Sequence, residues 1–188
     1  MTSPDVELIR WSDRVASPWR NGGGVTREIA AHHPAGAPDF DWRISVADVS
    51  APGPFSVYPG IDRVITLLEG AAMDLTVGTD RVRLTPLQPY AFAGEAAVDC
   101  TLPDGPTRDF NVMTRRGRVR AEVRVHRLHD TVELAAADGL CLLVCVGPAL
   151  RVDINGERHV LGRYDTLRVK NTVTVGAGDL LEVVLRPE

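Results

Sequence analysis

Hydrophobic residues in this chain recur at every second position far more often than at helical spacing, and that rhythm restricts the fold to β-structure. Alternating segments run through VELIRW (6–11), VTREIAA (25–31), FDWRISVADV (40–49), RVITLLEG (63–70), MDLTV (73–77), RVRL (81–84) and FNVMTR (110–115). They continue through AEVRVHRL (121–128), GLCLLVCV (139–146), LRVDIN (150–155), RHVL (158–161), DTLRV (165–169), VTV (173–175) and LLEVVLR (180–186). Turn-forming stretches such as AAHHPAGAPD, SAPGPF, YPGID, LPDGPT and GAGD separate them, which is the spacing of a sandwich or barrel. Asn155-Gly156, between LRVDI and ERHVL, is a hairpin cue, because both residues tolerate the positive φ of a two-residue turn. No segment reads as a long helix.

One order of segments occurs twice. Residues 63–102 run strand, turn, strand, short strand, then a proline-bearing approach to a further strand, and 139–185 repeat that order. This predicts two jelly-roll modules. The Arg-rich stretch RRGRVR places their boundary so that the modules cover 1–118 and 119–188, with strand exchange between them allowed.

Composition narrows the partners. A net charge of -4 over 188 residues, with both signs mixed along the chain, supplies no basic footprint for nucleic acid or an anionic membrane. No apolar run approaches the roughly 20 residues of a membrane span, and the N-terminus lacks a basic segment followed by an apolar one. A soluble cytoplasmic protein is expected. Cys100, Cys141 and Cys145 form an odd set without metal-ligand spacing and read as buried thiols.

The stretch Pro18-Trp19-Arg20-Asn21-Gly22-Gly23-Gly24-Val25-Thr26-Arg27-Glu28 is not explained by core or surface demands. Consecutive glycines weaken a strand unless a bend or a close backbone approach requires them. No phosphate-loop or dinucleotide-binding context surrounds the run. The nucleophilic-elbow pattern is absent around Ser45, Ser50 and Ser56 as well.

Three long segments, PWRNGGGVTREIA, FDWRISVADVSAPGPFSVYPGIDRVITLLEG and DGPTRDFNVMTRR, resemble the HutD/Ves family of bacterial proteins. The resemblance is sharp over about 18–116 and extends to the C-terminal module by pattern. It implies an all-β double cupin, two jelly-roll barrels in one chain. It also implies a ligand pocket in the N-terminal barrel and frequent dimers. Members associated with histidine utilisation are thought to bind N-formylglutamate or a related intermediate and to moderate flux, whereas the Ves branch is linked by name to environmental stress. The family implies no established catalytic reaction.

Many cupins hold a metal with an H-x-H pair, a nearby Glu and a later His. PFSVYPGIDRVITLLEG occupies that place here and contains no histidine. His32 and His33 fall in a proline-glycine loop, His159 stands alone, and three-residue spacing puts His126 and His129 on opposite strand faces. A site with no metal and no cofactor is expected.

Arginine is the candidate replacement, because its planar guanidinium grips a carboxylate through two parallel hydrogen bonds. Arg63, after the turn Pro59-Gly60-Ile61-Asp62, is the first candidate ligand contact and Arg43 the second; Arg108 and Arg115 also stand among apolar strand residues. Each could instead pair with Asp41, Asp48, Asp62 or Asp109. Asn111 shares one face with Asp109 and Met113, where a carboxamide offers a donor and an acceptor to a ligand or to a loop backbone. Asn21 and Thr26 are assigned to the pocket rim. Trp19 and Phe55 are assigned to its walls; Trp42, Tyr58 and Phe110 are further wall candidates, with core packing as the alternative for all five.

Two function classes remain open. One is a regulatory protein binding a small carboxylate. The other is a metal-independent isomerase or epimerase using Glu28, Asp62 or His126 for proton transfer, which requires an acid–base pair converging on one pocket. A stress-induced interaction protein is a third reading. Exposed sheet edges make a homodimer an expectation.

Overall fold

The computed structural model describes residues 6–36, 39–134, 138–154 and 156–188. The described chain is all-β apart from one 3-10 turn at Trp11–Asp13. No helix among the described residues is long and apolar enough to cross a membrane. The chain divides into two compact units. One is Val15–Arg120 with Glu188; the other joins the described residues up to Arg14 to Ala121–Pro187.

In the unit Val15–Arg120, a six-stranded sheet runs in the order Ala16–Pro18, Gly24–His32, Trp42–Val49, Thr107–Arg115, Ile61–Glu69, Pro89–Ala93. A four-stranded sheet runs Gly53–Pro54, Val98–Thr101, Met73–Val77, Asp80–Leu84. Ala47, Val49, Ile65 and Leu67 from the first sheet pack against Met73, Leu75, Leu84, Val98 and Cys100 from the second. Burying such side chains stabilises the unit by about 25 cal/mol per Å² of apolar surface removed from water.

The other unit has a five-stranded sheet, Val6–Ile9, Thr166–Val169, Leu140–Cys145, Gly178–Pro187, Val119–Leu128. Its four-stranded sheet is Val132–Leu134, Val173–Val175, Ala149–Ile154, Glu157–Gly162. Its core includes Cys141, Leu143, Cys145, Leu150, Val152, Leu161, Leu167, Leu180 and Val184. All three cysteines are free and buried, and burial pushes their thiols up to about 12 for Cys100 and Cys141 and about 11 for Cys145. At such values the thiolate is scarce and the groups are inert.

The two units share a strand-pairing scheme. Ile61–Glu69 pairs with Pro89–Ala93 and Thr107–Arg115, and Leu140–Cys145 pairs with Thr166–Val169 and Gly178–Pro187. Met73–Val77 pairs with Asp80–Leu84 and Val98–Thr101, and Ala149–Ile154 pairs with Glu157–Gly162 and Val173–Val175.

At the N-terminus one strand pairs across the division expected between 118 and 119. Val6–Ile9 pairs with Thr166–Val169, and Val6 and Leu8 pack on the core of the second unit. The strand thereby covers an otherwise open sheet edge. Asp165 fixes the connection, accepting from Trp11 N–H at 2.8 Å, Arg10 Nη1 at 2.6 Å and Gly162 N–H at 3.0 Å.

Several short strands carry no alternating signature. Ala16–Pro18, Gly53–Pro54 and Pro89–Ala93 all contain proline, and all lie at sheet edges, where the missing N–H costs no ladder bond. At the expected hairpin Asn155 lies outside the described residues. The flanking strands pair with Ile154 opposite Glu157, and Gly156 has φ +85°.

Candidate functional site

Antiparallel register sorts the six-stranded sheet into rows of side chains on one face. Arg43, Met113, Arg63 and Phe92 form one row; Ser45, Asn111, Ile65 and Tyr90 form the next; Thr26, Ala47, Asp109 and Leu67 form a third. The apolar members Ile65 and Leu67 close the core. The polar members Arg43, Ser45, Asp109, Asn111 and Arg63 instead line a cavity of about 490 Å³, a size typical of small-molecule sites, about 300–1,000 Å³. Arg43 and Arg63 stand two strands apart, so their backbones are about 10 Å from each other and both side chains can reach one ligand above Met113.

Arg63 is 5% exposed. Its guanidinium carbon lies 4.9 Å from the ring centre of Phe92, 5.4 Å from that of Phe55 and 5.8 Å from that of Tyr58. Aromatic faces attract a cation, and the attraction grows when water is excluded. Nη2 donates to Asn111 Oδ1 at 2.8 Å, while Nε is buried without a hydrogen-bond partner among the described residues. Among the described residues Arg63 makes no salt bridge. Burial pulls its pKa below the ordinary value, Asp109 and Tyr58 oppose that shift, and Arg43 adds to it; a guanidinium nevertheless keeps its charge.

Asn111 completes the relay by donating from Nδ2 to Asp109 Oδ1. Asp109 is buried, and its other oxygen, Oδ2, has no partner among the described residues. Burial pushes its carboxyl up to about 7, against the pull of Arg63 and the Asn111 amide and with Asp48 adding to the rise. A buried carboxylate without a direct cation is costly, so the acid retains its proton to near neutrality.

The glycine run folds over this face. Gly22 has φ +72° and donates to Trp19 C=O at 3.0 Å, closing a tight turn. Asn21 Oδ1 accepts from Gly23 N–H at 3.0 Å. Gly24 is glycine for a different reason: a Cβ there would lie 2.4 Å from Asp48 C=O and 3.1 Å from the Trp19 ring. The turn lays Trp19 against Thr26, whose Oγ1 accepts from the indole N–H at 2.8 Å.

Arg63, Arg43, Asn111, Asn21, Thr26, Phe55 and Trp19, the seven residues proposed from the sequence, all line this one cavity. Asn111 bonds two side chains, not the loop backbone considered as its alternative. Tyr58 also lines the cavity. Trp42 and Phe110 do not; both are buried elsewhere, Phe110 on the sheet face opposite Asn111. Arg108 binds Asp48 and Glu69, and Arg115 binds Phe40 C=O and Asp39, so both are structural cations outside the cavity.

The proton-transfer candidates do not converge. Glu28 is held by Arg43 at 2.8 Å, Asp62 by Arg116 at 2.6 Å, and His126 by Glu182 at 3.0 Å in the other unit. Among the described residues no group of three or more His, Cys, Asp or Glu is placed to hold a metal ion.

Sequence reasoning missed Arg20, Ser17, Ser45 and Asp109 as cavity residues. Asp109 carried a readable signal, since alternation places it beside Asn111. Arg20 carried none, and it has no salt-bridge partner among the described residues. Phe92 could be found only from the cross-strand register that sets it opposite Arg63.

Comparison with known proteins gives a consistent set of relatives. A family model described as HutD matches residues 11–181. An uncharacterized 21.2 kDa protein in the hutC 3' region of Pseudomonas putida is 38% identical over 167 residues, spanning 88% of this chain and 87% of that protein. Protein Ves of Citrobacter koseri is 49% identical over 109 residues, 57% of this chain and 56% of its own length. Among solved structures, HutD from Pseudomonas fluorescens in a formate condition matches with a TM-score of 0.85 at 35% identity, covering 97% of this chain and 99% of that one. Salicylate 1,2-dioxygenase from Pseudoaminobacter salicylatoxidans shares the fold alone, with a TM-score of 0.57 at 11% identity over 79% of this chain and 76% of that one.

Proposed function

The chain belongs to the HutD family, and from that premise we propose that its cavity binds a small carboxylate metabolite and serves a regulatory or flux-moderating role. N-formylglutamate or a related intermediate of histidine degradation is the first candidate ligand. One observation carries the reading: a buried, aromatic-caged Arg63, without a salt bridge among the described residues, faces the same cavity as Arg43 and Arg20. Proteins rarely bury a guanidinium without a counter-charge, and an incoming carboxylate would supply one. Asn111 stands beside it with its amide already oriented.

The all-β fold is cupin-like, and we read its two units as two cupin barrels. The shared pairing scheme supports that reading. In it, Val15–Arg120 carries the pocket and the other unit is mainly structural.

Thermal shift and calorimetry with histidine, urocanate, glutamate and N-formylglutamate test the proposal. A ligand that binds only the native state stabilises it by RT ln(1 + [L]/Kd), so a micromolar binder at millimolar concentration raises the melting point measurably. Saturable binding that Arg63→Ala abolishes in a folded protein is the expected result. No shift with any of the four would sink the histidine-pathway assignment.

A further inference from the structure

The cavity contains one acid whose role the arginines do not explain. Asp109 is 1% exposed, lines the cavity, and uses only one carboxyl oxygen in the relay to Arg63. Its Oδ2 is buried and has no hydrogen-bond partner among the described residues. An ionised Asp109 would repel a carboxylate arriving at Arg63, whereas a neutral one would not.

We infer that Asp109 is the neutral acid in the ligand-bound state, its proton removing a buried negative charge beside the bound carboxylate, so that binding above neutrality takes one proton from solvent. The inference rests on the carboxylate reading of the same cavity. In the bound state the ligand carboxylate would accept from the Arg63 guanidinium, and the proton on Asp109 would leave that cation uncontested. Asn111 would hold both groups, accepting from one and donating to the other. No bond other than hydrogen bonds changes, and the proton comes from water or buffer.

Every charged or titratable group around Asp109 can be weighed against this. From the strand Ile61–Glu69 comes Arg63, and from Trp42–Val49 come Arg43 and Asp48; Asp48 is held by Arg27 and Arg108. On its own strand Arg108 serves Asp48 and Glu69. From the facing sheet come Cys100, whose thiol is pushed up to about 12 and stays neutral, and Asp74 beside it. Tyr58 flanks Arg63 from the loop before that strand. Asp109 is the one group of this set that burial brings to about 7.

Calorimetry of the full chain with N-formylglutamate, in buffers of different ionisation enthalpy between pH 6 and 8.5, reads the proton count directly. Uptake should approach one proton at pH 8, with affinity falling about tenfold per pH unit above neutrality. Asp109→Asn fixes the neutral hydrogen-bonding pattern and should show no uptake and a flat affinity. Carbon-13 titration of the Asp109 carboxyl in the wild type, free and with N-formylglutamate, assigns the proton without a variant. Binding without uptake, or uptake unchanged in Asp109→Asn, overturns this inference and leaves the carboxylate reading standing. If none of the four metabolites binds, the carboxylate reading fails and this inference fails with it.

Discussion

Arg63 and Asp109 face one cavity and are joined without touching, through the single amide of Asn111. That amide is the shared partner of two buried ionisable groups. Asn111→Ala should therefore cost roughly 2–5 kcal/mol, the range for leaving buried polar or charged groups unpaired. Denaturant unfolding of the variant measures it. A loss below about 0.5 kcal/mol would mean that the two groups find other partners and that the relay is dispensable to the fold.

The three glycines should respond differently to alanine. At Gly24 the added methyl meets backbone, Asp48 C=O at 2.4 Å, as well as the Trp19 ring. Neither can swing aside, so Gly24→Ala should destabilise by about 1–3 kcal/mol and displace Trp19 from the cavity wall. Gly22→Ala meets no atom within 4 Å but must hold φ +72°, at a cost of about 1 kcal/mol. Gly23→Ala meets only the Asn21 side chain at 3.4 Å and should be nearly neutral. Melting temperatures of the three variants test the order, and a Gly24→Ala protein as stable as wild type would contradict it.

The strand pattern made the fold readable because strands such as Met73–Val77, Val98–Thr101 and Ala149–Ile154 bury one face and leave the other more exposed, so alternation survives in the sequence. The cavity was readable for a related reason. Arg43, Arg63 and Asn111 interrupt apolar faces, and such interruptions are costly without a partner. Position across the sheet was not readable. Phe92 cages Arg63 only because Pro89–Ala93 pairs beside Ile61–Glu69, a non-local register that no local pattern encodes. The placement of Val6–Ile9 in the second unit is equally non-local, since its partner strand begins at Thr166.

Asp165 ties that N-terminal strand down. It accepts two backbone N–H groups and the Arg10 guanidinium; burial alone would raise its pKa, but these donors hold it below the usual carboxylate range. Asp165→Ala should cost about 2–4 kcal/mol and speed hydrogen exchange of the Leu8 and Ile9 amides while sparing strands of the unit Val15–Arg120. Uniform loss of protection across both units would show instead that the two fold as one cooperative body. Unchanged exchange at Leu8 and Ile9 would show that pairing with Thr166–Val169 suffices without the carboxylate.

Asp109 gives stability a pH dependence of opposite sign to that of Asp165. Its folded value, about 7, lies above the roughly 3.9 of an unfolded aspartate. The folded state therefore holds the proton more tightly. This contribution is fully present below about pH 4, declines as pH rises, and is gone above about pH 7. Asp48 and Asp165 have lowered values and act in the reverse sense, losing their contribution as pH falls through them. Their effect is common to wild type and Asp109→Asn, so the difference between the two proteins isolates Asp109. The unfolding free energy of wild type minus that of Asp109→Asn should fall by a few kcal/mol, at most roughly 4, between pH 4 and 7 and then level off. Urea titrations at half-unit intervals provide the curve. A difference flat from pH 4 upward would mean that Asp109 ionises as an ordinary carboxylate, with its charge already balanced inside the cavity.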